Sequence, residues 1–163
     1  MICENLNSFN YDNIIINDPI KNSVIQYNYF YKLLYSTNIT IYSSIFIIFE
    51  LNNITIENEK ILFNNDVINK NIFDKLIQLE EYLLNLINEP KVKIYKFKEF
   101  YENKYLKYTV GDDVDKFNNY KYANDSDFKN KKLILKISGI WESKDNIGLT
   151  FKIIGVNKCI SFM

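Results

Sequence analysis

The chain has 163 residues, 47% of them hydrophobic, and its 20 basic side chains balance 20 acidic ones, so it is sized for one domain with a real core. Zero net charge excludes a wholesale polyanion binder and confines any nucleic-acid site to a local patch. Every basic residue is lysine and there is no histidine, which removes the commonest general base, the commonest metal ligand and the arginine finger, and argues for a protein that is not an enzyme.

Residues 1–19 are polar and Asn-rich and end at Pro19, the pattern of a loosely held arm. They lack a basic region followed by an apolar run, so no signal peptide is expected. With no apolar stretch long enough to span a bilayer, the expectation is an intracellular protein with no membrane partner. Cys3 and Cys159 stand near opposite ends without a CxxC pair, the pattern of two thiols in a reducing compartment.

SVIQYNYFYKLLY (23–35) places Ile25, Tyr27, Tyr29, Tyr31, Leu33 and Tyr35 on one face at period two, which predicts a strand. ITIYSSIFIIFEL (39–51) is almost continuously apolar and predicts a second, central strand. Asn52 and Asn53 supply a tight turn into a third, ITIENEKILF (54–63), whose polar middle allows a bend. The period then changes. Ile72, Phe73, Leu76, Ile77, Leu79, Leu83, Leu84 and Ile87 recur at helical spacing, predicting one main helix over about 70–88 with Asn69 or Asn71 as cap and Pro90 beyond its end. Glu80 and Glu81 fall on the polar side of that helix and are expected to be solvated.

KVKIYKFKEFYENKYLKY (91–108) interleaves lysines with Tyr and Phe. Read as a strand over 91–97, it puts Lys91, Lys93, Tyr95 and Phe97 on one face and Val92, Ile94 and Lys96 on the other; residues from Lys98 onward suit a short helix. Cations that track phosphates and flat rings that stack on bases are what a single-strand site needs. Aromatics filling an ordinary core account for the same pattern. Residues 111–131 read as a polar surface loop. Its Asp112, Asp113, Asp115, Asp125 and Asp127 are fragments of a cation site without the glycine and closing glutamate of a calcium loop, so no metal or other cofactor is expected.

The chain closes on two strong strands, KLILKISGIW (132–141) and IGLTFKIIGV (147–156), joined by ESKDN. Leu133, Leu135, Ile137 and Trp141 share one face of the first; Ile147, Leu149, Phe151 and Ile153 share one face of the second. Antiparallel pairing through 142–146 sets Lys136, Thr150 and Lys152 on a common wet face. Three strands, a helix and a closing hairpin are the element order of an OB-type barrel, so the expected class is α+β, mainly β, with residues 20–163 forming one OB-like small barrel of antiparallel strands.

LKISGIWESKDNIGLTFKIIGV resembles the end of a family of small proteins from large nucleo-cytoplasmic DNA viruses, in which a Leu-Lys-Ile-Ser-Gly-Ile-Trp-Glu run precedes a Gly-Leu-Thr-aromatic-Lys run. NSVIQYNYFYKLLYS (22–36) resembles that family's N-terminal strand. The last 25 or so residues are also similar to the closing strands of single-stranded-DNA-binding proteins of the phage T7 type. Where those carry an acidic tail with a terminal aromatic, this chain reads VNKCISFM, so tail-mediated recruitment of replication partners is not implied. The resemblance implies non-catalytic binding of single-stranded DNA in viral replication or recombination, with replication proteins or self-association as further contacts. Lys93, Lys96, Lys98, Lys136 and Lys152 would neutralise phosphates, and Tyr95, Phe97 and Trp141 would stack on bases. A viral structural or scaffold protein using the same fold for protein contacts is the alternative, supported by neutral charge and abundant tyrosine.

Overall fold

The computed structural model describes residues 3–21, 29–57, 60–107 and 130–156. The expected loop of 111–131, with its five aspartates, falls almost wholly outside these residues, as do Cys159 and the first half of the strand expected at 23–35.

The stretch expected to be a loose arm is stitched to the body. β1 (Glu4–Asn5) pairs with residues 47–48, and β2 (Ile14–Ile16) and β3 (Ile20–Lys21) pair with residues 33–35 and 29–30. Its asparagines make this possible. Asn5 and Asn10 each accept a hydrogen bond from the backbone N–H two residues on, at 2.9 and 3.0 Å, and so start the two short 3-10 turns between β1 and β2. Leu6, in the first of these turns, is buried.

β4 (Tyr29–Ser36) has the expected alternation, with Leu33 and Tyr35 buried and Tyr31 half-buried. The apolar run of 39–51 is two strands rather than one, β5 (Ile41–Tyr42) and β6 (Ile45–Asn52), separated by Ser43 and Ser44. β5 stays paired with β4 while β6 crosses to the centre of the sheet. Asn53 turns the chain at φ 49°, a left-handed conformation that asparagine tolerates. The third expected strand is a hairpin, β7 (Thr55–Glu57) and β8 (Lys60–Leu62), consistent with its polar middle.

Helix α1 (Val67–Asn85) buries Phe73, Leu76, Leu79, Leu83 and Leu84 as its periodicity requires. Its cap is Asp66, whose carboxylate accepts from the Asn69 N–H at 2.8 Å. Asn69, expected as a cap, is instead fully buried. It accepts from the Asn52 N–H at 2.8 Å and donates to the carbonyls of Asn52 and Asn64 at 2.9 and 2.8 Å, tying the end of β6 to the first turn of α1.

The strand expected over 91–97 ends early. β9 (Val92–Ile94) gives way to α2 (Lys96–Asn103), which stops at Lys104 (φ 58°) and leads into β10 (Tyr105–Lys107). β11 (Asn130–Glu142) and β12 (Asn146–Val156) form the expected hairpin. Among the described residues the sheet runs β1–β6–β11–β12–β9, with β4 joining β11 where β6 leaves it and carrying β2, β3 and β5; β10, β8 and β7 form a second, smaller sheet. The architecture is α+β and mainly β, and among the described residues β1 and β9 end the sheet, which does not close into a hydrogen-bonded ring. α1 packs against β6, β12 and α2, and the core lies between them. Among the described residues no helix is long and apolar enough to cross a membrane.

Candidate nucleic-acid interface

The hairpin has two faces, and a one-residue irregularity decides what each carries. Leu133, Leu135 and Ile137 are fully buried on the core face, as their alternation requires. Between Ile137 and Gly139 the register slips: Ile137 opposes Phe151 and Gly139 opposes Thr150, leaving Ser138 as an extra residue. From there the alternation is inverted. Ile140 and Glu142 take the core face, and Trp141 emerges on the opposite one, where it is half-buried. The sequence reading placed Trp141 with Leu133, Leu135 and Ile137; the bulge moves it.

Residues in register across neighbouring strands share a face. Lys152, Lys136 and Phe46 therefore form one row across β12, β11 and β6. In the adjacent row Ile154, Ile134 and Ile48 stand together. Toward the turn, Thr150 and Gly139 align with Lys32, and Gly148 and Trp141 align with Phe30. Lys32, Lys136 and Lys152 thus share a sheet face with Phe30, Phe46 and Trp141. Lys152 is exposed and Lys136 half-buried, its ammonium 5.5 Å from the centroid of the Phe46 ring. At the far end Lys132 meets Glu50 at 3.8 Å.

Two glycines shape this face. A Cβ on Gly139 would lie 2.4 Å from Cζ of Phe30, and one on Gly148 would lie 2.6 Å from Cζ2 of Trp141. The phenyl ring rests on one glycine and the indole on the other.

The remaining expected site residues lie elsewhere. Phe97 has no exposed surface and stacks on Phe151, with ring centroids 4.7 Å apart, so it is core and not a base-stacking ring. Because Phe151 opposes buried Ile137, this contact seats α2 on the core side of the sheet, away from Lys136 and Lys152. Lys96 pairs with Glu99 at 2.7 Å on the same helix, and Lys98 is exposed there. Lys93 donates to Asn85 at the end of α1, and half-buried Tyr95 packs against the core. The lysine–aromatic interleaving is therefore divided, over the described residues 91–107, among two short strands, a helix and the core.

What begins α2 is a carboxylate the sequence reading left in solvent. Glu80 on α1 has no exposed surface, and it accepts from the backbone N–H groups of Lys96 at 2.8 Å and Phe97 at 3.0 Å. Burial pushes its pKa up to about 7, against the two backbone bonds and Lys96, which favour the charged form. A second inward carboxylate, Glu142, receives the Tyr31 hydroxyl at 2.6 Å and the Lys91 ammonium, which also donates to the Ser143 carbonyl at 2.8 Å. Burial pushes Glu142 up, but the bonds from Lys91 and Tyr31 outweigh it and hold the carboxyl below its usual range. Burial and the bond to Glu142 raise Tyr31. This cluster joins β4, the start of β9 and the hairpin turn, and leaves Trp141, next in the chain, facing outward.

Phe30, Phe46 and Lys32 were missed by the sequence reading. Alternation in YFYKLLYS places Phe30 and Lys32 opposite Tyr31 and Leu33, which was legible; that they stand beside Trp141 and Gly139 depends on strand pairing, which was not. Comparison with known protein families, with curated proteins and with solved structures finds no match to this chain.

Proposed function

We propose that the protein is a non-catalytic single-stranded-DNA-binding protein, and that the outer face of β4, β6, β11 and β12 is its binding surface. One observation carries the reading: Lys152, Lys136 and Phe46 stand in one row on the face that also presents Lys32, Phe30 and Trp141. Cations for phosphates and rings for bases thus meet on one surface of a chain with no net charge, as local binding requires. An OB-like architecture is the finer form of this reading. It is supported by the order of strands, helix and closing hairpin, by α1 packing across β6 and β12, and by the bulge at Ser138, a device that bends strands in small barrels. The resemblance of the hairpin supports replication or recombination of a large DNA virus as the setting.

The test is a salt titration of binding to a labelled oligonucleotide. Three phosphate contacts through Lys32, Lys136 and Lys152 give a log–log slope of about −2, from roughly −0.7 per contact on a single strand. Binding that ignores salt, or that prefers duplex, refutes the proposal.

A further inference from the structure

The two glycine contacts lead further. Gly139 and Gly148 are diagonal neighbours on β11 and β12, since Gly139 opposes Thr150 and Trp141 opposes Gly148. Diagonal positions across an antiparallel pair lie about 7–8 Å apart. The Phe30 ring reaches from β4 over Gly139, and the Trp141 ring reaches from β11 over Gly148, so both lean the same way across the sheet. The ring atoms nearest the glycines are Cζ and Cε1 of Phe30 and Cζ2 and Cε2 of Trp141, and both side chains are half-buried. Any side chain at either glycine would collide with the ring above it. At 139 it would also meet the Tyr31 carbonyl oxygen at 2.4 Å.

We infer that Phe30 and Trp141 form a two-ring platform on which two unpaired bases of one strand stack, with Gly139 and Gly148 as the positioning residues that hold the rings down. The inference rests on the single-strand reading above and names the part of the ligand this end of the face takes. Lys32 lies in the row between the platform and the Lys136–Lys152 row, so a backbone leaving the platform passes along cations. Stacked bases of a duplex would not offer the rings a free face, so the platform selects single strands and tolerates any base.

Rings that cover strand glycines also serve packing alone, and the experiment must separate the two roles. The full chain is titrated with a fluorescein-labelled poly(dT) oligonucleotide and with an abasic oligonucleotide of the same length, which keeps the phosphates and lacks the bases. Wild type should bind poly(dT) more tightly than the abasic probe. Phe30→Leu and Trp141→Leu should each weaken poly(dT) binding about tenfold, within the range of a lost base stack, while leaving the abasic affinity and the salt slope unchanged. Gly148→Ala should do the same with both rings chemically intact. Equal wild-type affinity for the two probes overturns the platform and requires no variant to fold. Folded Phe30→Leu and Trp141→Leu variants that bind poly(dT) like wild type overturn it as well. If Lys136→Gln/Lys152→Gln still weakens both probes in either case, the single-strand reading survives and only the platform falls; if wild type binds neither probe, both fall.

Discussion

Lys136 and Lys152 stand opposite each other in register across β11 and β12, and Lys136 lies over the ring of Phe46 on the strand beyond. Like charges directly opposed on a sheet are mildly destabilising, and the ring offsets this by about 0.5–1 kcal/mol at an exposed site. A chain of phosphates passing over the pair would turn the repulsion into attraction.

Changing both lysines to glutamine should therefore leave the melting temperature unchanged or slightly raised. It should weaken oligonucleotide binding and make the salt slope shallower by about 1.4, two contacts at roughly 0.7 each. An unchanged slope with an unchanged melt would remove the hairpin from the binding surface. If self-association then moved instead, the face would serve protein contacts, as a structural or scaffold protein requires.

Trp141 is the sole tryptophan, so its emission reports this face without ambiguity. Half-buried on Gly148, it should emit between the wavelengths of a core and a fully solvated indole, and bound oligonucleotide should quench it. A deeply blue-shifted emission indifferent to DNA would place the ring in the core.

The two glycines should differ in their tolerance of alanine. At 148 the added methyl meets an indole that can rotate aside, and the expected cost is about 1–3 kcal/mol. At 139 it meets the Tyr31 carbonyl as well as the Phe30 ring, and backbone cannot swing away. Gly139→Ala should be the more destabilising in thermal or urea melts. Combining Gly148→Ala with Trp141→Leu should recover part of the loss, because the two changes act on one contact.

Glu80 makes stability depend on pH in an unusual direction. Its pKa is about 7 when folded against 4.5 as the ordinary value, so the folded state holds the proton more tightly than the unfolded state. The stability this contributes is complete below about pH 4.5 and is lost as pH rises to about 7, to a total on the order of 3 kcal/mol. Urea melts across that window should show the fall for wild type and lack it in Glu80→Gln. Glu80→Ala should cost more than Glu80→Gln at any pH, since it leaves two buried N–H groups at the start of α2 without an acceptor.

Much of the fold followed from local pattern. The run through Phe73, Leu76, Leu83 and Leu84 has the period of an amphipathic helix, and the alternation of 132–137 against 147–153 by itself sets Lys136 opposite Lys152. These features depend on residues a few positions apart, or on one short turn. What the tertiary structure decided lay where a distant group or an added residue overrode the local period. A single extra residue at Ser138 inverts every side chain beyond it, and so takes Trp141 out of the core and onto the face of Lys136. The carboxylate of Glu80, sixteen residues upstream of Lys96, captures two N–H groups and turns an alternating strand pattern into a helix that buries Phe97. Alternation shows which residues share a side of their own strand; only pairing shows which strands lie beside it, and that pairing brings Phe30, Phe46 and Lys32 to the hairpin's lysines.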